Sequence, residues 1–442
     1  ALRPRARARA TVRMSAAADA KRRVVVTGLG PVSGCGIGQE DFMDFLLAGK
    51  SSLGRIEENF DCSDFACQIG SEVPSSMFNP AEYFKVKKNV RSNDRYTHFA
   101  MAAAKLALKD AALDEDALSG NADKFGVVIG SAFGGMATFE QQTLNLQESG
   151  PRAVSPYTIP ALLGNTASGI VGIELGAKGP NYGVVSACAS ATHCIGSALG
   201  AIRNGEADVM IAGGSEAAIT PLSYAGFSNL KAMATGFNDD PTKASRPFDA
   251  DRAGFVMGEG AGVVVLESLE HALARGAPIY CELAGYGASC DAHHITAPHP
   301  EGEGLAQCLE MALEDANVAK DDVAYINAHG TSTPYNDKFE TMAIKRVFGD
   351  DASSAKGLTV SSTKGSTGHT LGAAGGLEAI ICAKVIKDGK APPTINYETA
   401  DPDCDLDYIP NEARDLGAPK AAISTNLGFG GHNACLVLKQ YA

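Results

Sequence analysis

Three residues have the types and settings for covalent chemistry: Cys188 in YGVVSACAS, His329 in NAHGTST and His369 in SSTKGSTGHT. Cys188 is flanked by Ser186, Ala187, Ala189 and Ser190, which leave its sulfur unobstructed, and a helix is expected from Ala189 to about Arg203. A thiol at a helix N-terminus faces unpaired N–H groups and the positive end of the dipole, and both favour the nucleophilic thiolate. On these neighbours alone, a buried structural thiol remains the open alternative. His329 and His369 each lie in a polar loop of Gly, Ser and Thr just past an apolar run. Ligands of open α/β sheets bind at the carboxyl ends of the strands. Three such ends carrying Cys, His and His suit covalent catalysis assisted by imidazole. Lys364 precedes His369 by five residues and Glu340 follows His329 by eleven, so an ion pair between them is expected to orient the histidines. Ordinary surface charge is the alternative for both.

The elements that must position these residues follow an α/β pattern, with short β-branched runs alternating with helical stretches past residue 23. VVVTGLG (24–30) is expected to be a strand entering a glycine turn. Further strands are expected at 125–132, 184–190, 208–216 and 263–267, with helices at 97–113 and 189–203. The later part repeats the theme with a strand and Gly turn at 280–289, then a strand at 323–333 ending in a polar loop. Another strand at 358–363 is followed by an Ala/Gly-rich helix at 370–385. The closing GFGGHNACLVLK echoes MGEGAGVVVLE (257–267), a Gly-rich turn feeding an apolar strand in both. Two similar halves are therefore expected, 24–277 with the nucleophile and 278–442 with the histidines, each a sheet with covering helices.

Composition narrows the function. The chain has 442 residues and a formal net charge of −13. The first 23 residues hold eight basic side chains against the single acid Asp19, so the remainder is more acidic still. Such a body is a poor match for phosphate backbones, and nucleic acid is not expected as a partner. No apolar run approaches the length of a membrane span, and no membrane association is expected. The Arg- and Ala-rich segment 1–23 resembles an organelle transit peptide, with a disordered basic tail as the alternative. The expected home is the plastid stroma, with the mitochondrion second. Eleven cysteines without CxxC pairs suit a reducing compartment, and no zinc set is expected.

The motifs around Cys188, His329 (NAHGTSTPYNDKFE) and His369 (SSTKGSTGHTLGAAGG), with EADVMIAGGSE, SRPFDADRAGFVMGEGAG and NLGFGGHN, resemble those of the beta-ketoacyl-acyl-carrier-protein synthases. The resemblance runs from about residue 23 to the C-terminus, with the motifs in order and correctly spaced. It implies a thiolase-like fold, two duplicated halves in five α-β-α-β-α layers, usually as a homodimer. It implies an acyl group held on Cys188 and condensed with malonyl-acyl-carrier protein after loss of carbon dioxide. His329 and His369 would stabilise the enolate, and backbone N–H groups of Cys188 and Phe429 the second oxyanion. Lys364 and Glu340 would support the histidines, and Thr331 and Thr333 would bind the pantetheine arm. Phe133 and Phe227 would line the acyl tunnel, and Phe429 would act as a gate. A ring at position 133 is expected to shorten the tunnel and favour short to medium chains. Leu427 departs from the Phe common in the family, which leaves the gate loop's behaviour open. The basic run KVKKNVRSNDR, with Lys85, Lys87, Lys88, Arg91 and Arg95, is expected to dock the acidic carrier protein, aided by Arg152 and Lys231. A merely solvated face is the alternative. No metal or redox cofactor is implied, since decarboxylation drives the reaction. A thiolase would need a second reactive cysteine in a C-terminal CxG, which GFGGHNA is not. A polyketide-type ketosynthase shares the motifs, and a non-catalytic chain-length subunit normally lacks the nucleophile.

Overall fold

The computed structural model describes residues 21–113, 118, 120–353 and 357–442. The transit-peptide expectation falls largely on residues 1–20, outside the described residues. Ten strands make up the main sheet path, beginning with β1 (Val24–Ser33), β2 (Phe125–Gly130), β3 (Asn181–Tyr182), β4 (Val209–Glu216) and β5 (Gly260–Ser268). The second set is β6 (Cys281–Cys290), β7 (Val323–Asn327), β8 (Thr359–Ser361), β9 (Ala421–Gly428) and β10 (His432–Lys439). Their order across the sheet is β8-β7-β9-β10-β6-β1-β5-β4-β2-β3. Within each half, counted separately, the order from the centre outward is therefore first, fifth, fourth, second, third. Directions match as well: fifth pairs antiparallel with first and fourth, while second is parallel to fourth and third. The halves meet where β1 and β6 pair through Val25–Glu282 and Val26–Cys281.

Helices cover the two five-stranded halves of this sheet, the first sheet (β1–β5) and the second (β6–β10). Chief among them are α1 (Arg95–Asp110), α2 (Met136–Ser149), α3 (Thr166–Leu175), α4 (Ser190–Arg203), α5 (Glu303–Ala316), α6 (Pro334–Phe348) and α7 (Ala374–Asp388). Ile195, Leu199 and Ile202 of α4 and Leu377, Ile380 and Ile381 of α7 share one core with Met210, Leu266, Leu436 and Leu438. These two helices are the middle layer, in contact with both sheets. Helices α1 and α3 cover the outer face of the first sheet, and α5 and α6 that of the second. The resulting α-β-α-β-α stack agrees with the expectation from sequence. Asp94 caps the N-terminus of α1, its side chain accepting from Tyr96 N–H. Truncating a buried side chain such as Ile380 to Ala would cost about 2–5 kcal/mol. Among the described residues no helix is long and apolar enough to cross a membrane.

Several local expectations need correction. Gly28 and Gly30 do not form a turn; they lie within β1, where a Cβ would come within 2.1 Å of Ala107 O and 1.9 Å of Ala103 O on α1. Gly285 and Gly287 of β6 face α5 in the same way, so these glycines serve helix–sheet approach, not chain reversal. The strand expected at 184–190 is absent, and the ladder with β2 ends at Tyr182. Val185 is 63% exposed and Ala187 adopts φ +50°, so the chain turns instead of extending. The helix expected from residue 370 begins at Ala374, because Leu371 at φ +48° opens a tight turn first.

Candidate active site

Cys188 follows β3 and precedes α4, on a sharp elbow. Ser190 staples this elbow, its hydroxyl accepting from Ser186 N–H at 2.9 Å and donating to Ala187 O at 2.7 Å. The left-handed Ala187 costs conformational energy and projects the next side chain out of the turn. Gly428 lies against the elbow, where a Cβ would sit 2.4 Å from Ser186 O and 3.4 Å from Cys188 N. No larger residue allows that approach, which brings the backbone beside Phe429 to the nucleophile.

The two histidines arrive from the other half. His329 follows β7, with its N–H donating to Glu340 Oε1 at 2.8 Å; Gly330 N–H donates to Oε2 at 2.8 Å and Thr425 Oγ1 to Oε1 at 2.8 Å. His369 follows β8 and is pinned by its N–H to Val256 O at 2.7 Å. Its Nε2 lies 3.0 Å from Cys188 Sγ, and the two imidazole rings meet edge to face at 5.2 Å. The sulfur and one nitrogen of each ring all lie within 4.8 Å of one another. Among the described residues they are the one cluster of three or more such side chains close enough to hold a metal ion.

Burial sets the protonation states. It pushes the Cys188 thiol up to about 12, against the pull of Lys364. Desolvation thus opposes the thiolate that the helix N-terminus favours. Burial, then the Lys364 charge, holds both imidazoles well below their usual range, and His369 also lowers His329; both rings are neutral. A neutral His369 Nε2 can therefore accept the thiol proton. Asn426 faces His329 Nδ1 at 3.5 Å with its Nδ2. The Asn426 orientation is fixed by its own bond to Glu378 Oε2 at 2.6 Å and by the Thr192 hydroxyl donating to its Oδ1. His329 Nδ1 is then the acceptor and its Nε2–H points onward. His369 Nδ1 is buried without a hydrogen-bond partner, so no neighbour fixes its tautomer.

The expected Lys364–Glu340 pair does not form. Lys364 is buried, donates to His329 O at 2.5 Å and pairs with Glu378 on α7. Glu340 instead clamps the His329 loop through backbone donors, and burial pushes it up to about 7. Sequence reasoning missed Glu378 and Asn426. Their signal was there: an acid inside the apolar helix AGGLEAIICAKV and an amide inside a buried strand.

A cavity of about 620 Å³ opens onto the triad, lined by Cys188, His329, His369, Thr331, Thr333, Phe133, Phe227, Phe429, Leu427 and Lys231 among others. Thr331 and Thr333 hydroxyls sit 2.9 Å apart. Aromatic contacts link its walls: Phe133 to Phe227 at 6.1 Å, Phe227 to Phe255 at 5.3 Å and to Phe429 at 6.4 Å, and Phe255 to His369 at 5.4 Å. The basic run is split. Lys85, Lys87, Lys88 and Arg91 are exposed, as are Arg152 and Lys231. Arg95 turns inward and is held by Glu259 at 2.7 Å and Val73 O at 2.6 Å, while Lys85 Nζ donates to Glu174 O at 2.6 Å. Arg95 is thus a structural cation rather than a docking one.

Comparison with known proteins agrees with this geometry. Residues 21–272 match the beta-ketoacyl synthase N-terminal domain, and 280–398 the C-terminal domain. The chain is 49% identical over 421 residues to 3-oxoacyl-[acyl-carrier-protein] synthase 2 of Synechocystis sp., covering 95% of this chain and 99% of the relative. It is 49% identical over 420 residues, with the same coverage, to the protein of that name from Staphylococcus aureus. Among solved structures it resembles a type II polyketide synthase ketosynthase in complex with its acyl carrier protein and bound to the hexaketide. That match has a TM-score of 0.87 at 36% identity, over 96% of this chain and 100% of the other. A beta-ketoacyl synthase from Burkholderia phymatum gives 0.85 at 34% identity, over 95% of this chain and 100% of the other. With an elbow thiol and two neutral imidazoles converging at the junction of two matching halves, the chain belongs to the beta-ketoacyl synthase family.

Proposed function

We propose that this protein elongates fatty acyl chains by decarboxylating Claisen condensation on acyl carrier protein. The observation that carries the reading is Cys188 Sγ at 3.0 Å from His369 Nε2, on the wall of a largely apolar cavity. In the first half-reaction Nε2 takes the thiol proton while sulfur attacks the acyl thioester. The proton passes to the departing pantetheine thiolate, leaving acyl-Cys188. In the second, the malonyl carboxylate leaves as carbon dioxide and the enolate forms beside His329 Nε2–H, with His369 as the second donor in its Nε2–H tautomer. N–H donors fixed in advance stabilise developing charge strongly in a water-poor site. The enolate carbon bonds to the acyl carbonyl, the Cys188–acyl bond breaks, and the expelled thiolate takes up the one proton from solvent that the loss of carbon dioxide requires. Backbone N–H groups of Cys188 and Phe429 serve the acyl oxyanion, and Thr331 and Thr333 the pantetheine arm.

The acyl chain runs toward Phe133 and Phe227, whose rings favour short to medium chains over long ones. The acidic carrier protein docks on Lys85, Lys87, Lys88, Arg91, Arg152 and Lys231, a reading supported by their exposure and by the carrier-bound polyketide ketosynthase. A second copy of the chain covers the edge strand β3 and the exposed apolar side chains Ile173, Tyr182 and Val185 nearby. Light scattering of the purified protein tests that dimer. The basic segment 1–23 supports delivery to a plastid, testable with a fluorescent fusion. Mass spectrometry after incubation with acyl-carrier protein tests the central reading: an acyl adduct on Cys188, discharged by malonyl-carrier protein, supports it, and persistent absence of the adduct refutes it.

A further inference from the structure

Two buried polar side chains hold matching places in the two halves. Asn426, near the end of the fourth strand of its half, faces His329 on the second-strand loop of that half and receives Thr192 from the other. Glu216 ends the fourth strand of the first half and is fully buried. Its carboxylate accepts from Ser131 Oγ at 2.8 Å, Ala132 N–H at 2.7 Å and, more weakly, Phe133 N–H at 3.4 Å, all on the second-strand loop of its own half. It also accepts from Gly372 N–H at 3.1 Å, three residues past His369 in the other half. All these partners donate, which suits a carboxylate. The joint is tight: a Cβ at Gly372 would lie 2.4 Å from Ala132 N and 2.6 Å from Glu216 Oε2.

We propose that Glu216 is a positioning residue that governs chain-length selection by locking the Phe133 wall of the cavity to the loop carrying His369. The inference rests on the reading of Phe133 as the wall that an acyl chain meets. A chain that presses on Phe133 gains room by turning its 40% exposed ring or, for a longer chain, by retreat of the 131–134 loop. That retreat strips donors from a buried carboxylate, which is costly, and pulls on Gly372 and so on His369. An over-long chain is therefore refused at the wall and misplaces the base that activates the thiol.

Glu216→Gln keeps the side chain's size but replaces one acceptor oxygen with an NH2 that cannot receive a backbone N–H. kcat and KM are measured with octanoyl- and palmitoyl-carrier protein, with Phe133→Gly alongside. The expected result for Glu216→Gln is an about tenfold rise in the palmitoyl-to-octanoyl ratio of kcat/KM, with Cys188 still alkylated by iodoacetamide. An equal loss on both substrates, or an unchanged or falling ratio, overturns the proposal and leaves Glu216 a structural residue. If Glu216→Gln does not fold, Ser131→Ala removes one donor and carries the same expectation at about threefold. If Phe133→Gly leaves the ratio at the wild-type value, the reading of Phe133 fails and this inference with it. If Phe133→Gly raises the ratio and Glu216→Gln does not, only the role of Glu216 is lost.

Discussion

The two halves share one strand order, yet the loops at corresponding places carry opposite chemistry. After the third strand, the first half presents Cys188 and the second His369; after the second strand, the first presents Phe133 and the second His329. The first half holds Cys188 with small side chains, a strained Ala187 and a hydroxyl staple, and its Phe133 loop with the buried Glu216. The second holds its histidines with buried charge: Lys364 on Glu378, and Glu340 under the His329 loop. The difference follows from what each must do. A nucleophile needs open space around its sulfur, whereas imidazoles that donate to developing charge need fixed orientation and neutral rings, which burial beside a cation secures.

The comparison can be broken at graded cost. Cys188→Ser should lower kcat/KM by about a thousandfold or more and abolish the acyl adduct, read by steady-state assay and mass spectrometry. Lys364→Ala strands the Glu378 charge in a site where both side chains are under 5% exposed. Urea unfolding should show a loss of about 3–5 kcal/mol. Asn426→Ala frees the His329 ring, so kcat should fall about tenfold to a hundredfold while single-turnover acylation of Cys188 continues. A parallel loss of acylation would mean that the amide serves both halves.

Smaller effects sharpen the contrast further. Burial pushes Glu340 up to about 7 from an ordinary 4.5. Between those values the folded state keeps a proton that the unfolded chain has shed, so this group's contribution to stability falls as pH rises through the window and levels above it. Glu340→Gln should remove its part of that slope in urea midpoints measured across the window; Glu216, raised in the same direction, retains its own. Least of all, Lys87→Glu with Lys88→Glu should raise KM for carrier-bound substrate about threefold to tenfold, weaken with salt, and spare small thioesters.

Legibility in the sequence tracked physical range. Cys188, His329 and His369 stood out because polar or small-residue loops beside apolar runs are a local pattern. Glu378 and Asn426 were overlooked because a buried polar group makes sense only beside its partner, and those partners lie on other elements. The Lys364–Glu340 pairing failed for the same reason: spacing along the chain said nothing about which carboxylate the ammonium would meet. Arg95 looked like its basic neighbours until Glu259, 164 residues away, turned it inward.

By itself the sequence determined the α/β class, the two similar halves and the three chemical groups, because strand and helix periodicity and loop composition are encoded over a few residues. Tertiary structure alone decided that burial raises the Cys188 thiol, which carboxylate supports Lys364, and that Glu216 joins the Phe133 loop to the loop carrying His369. Those outcomes depend on desolvation and on contacts between distant segments, quantities that exist only once the chain has packed.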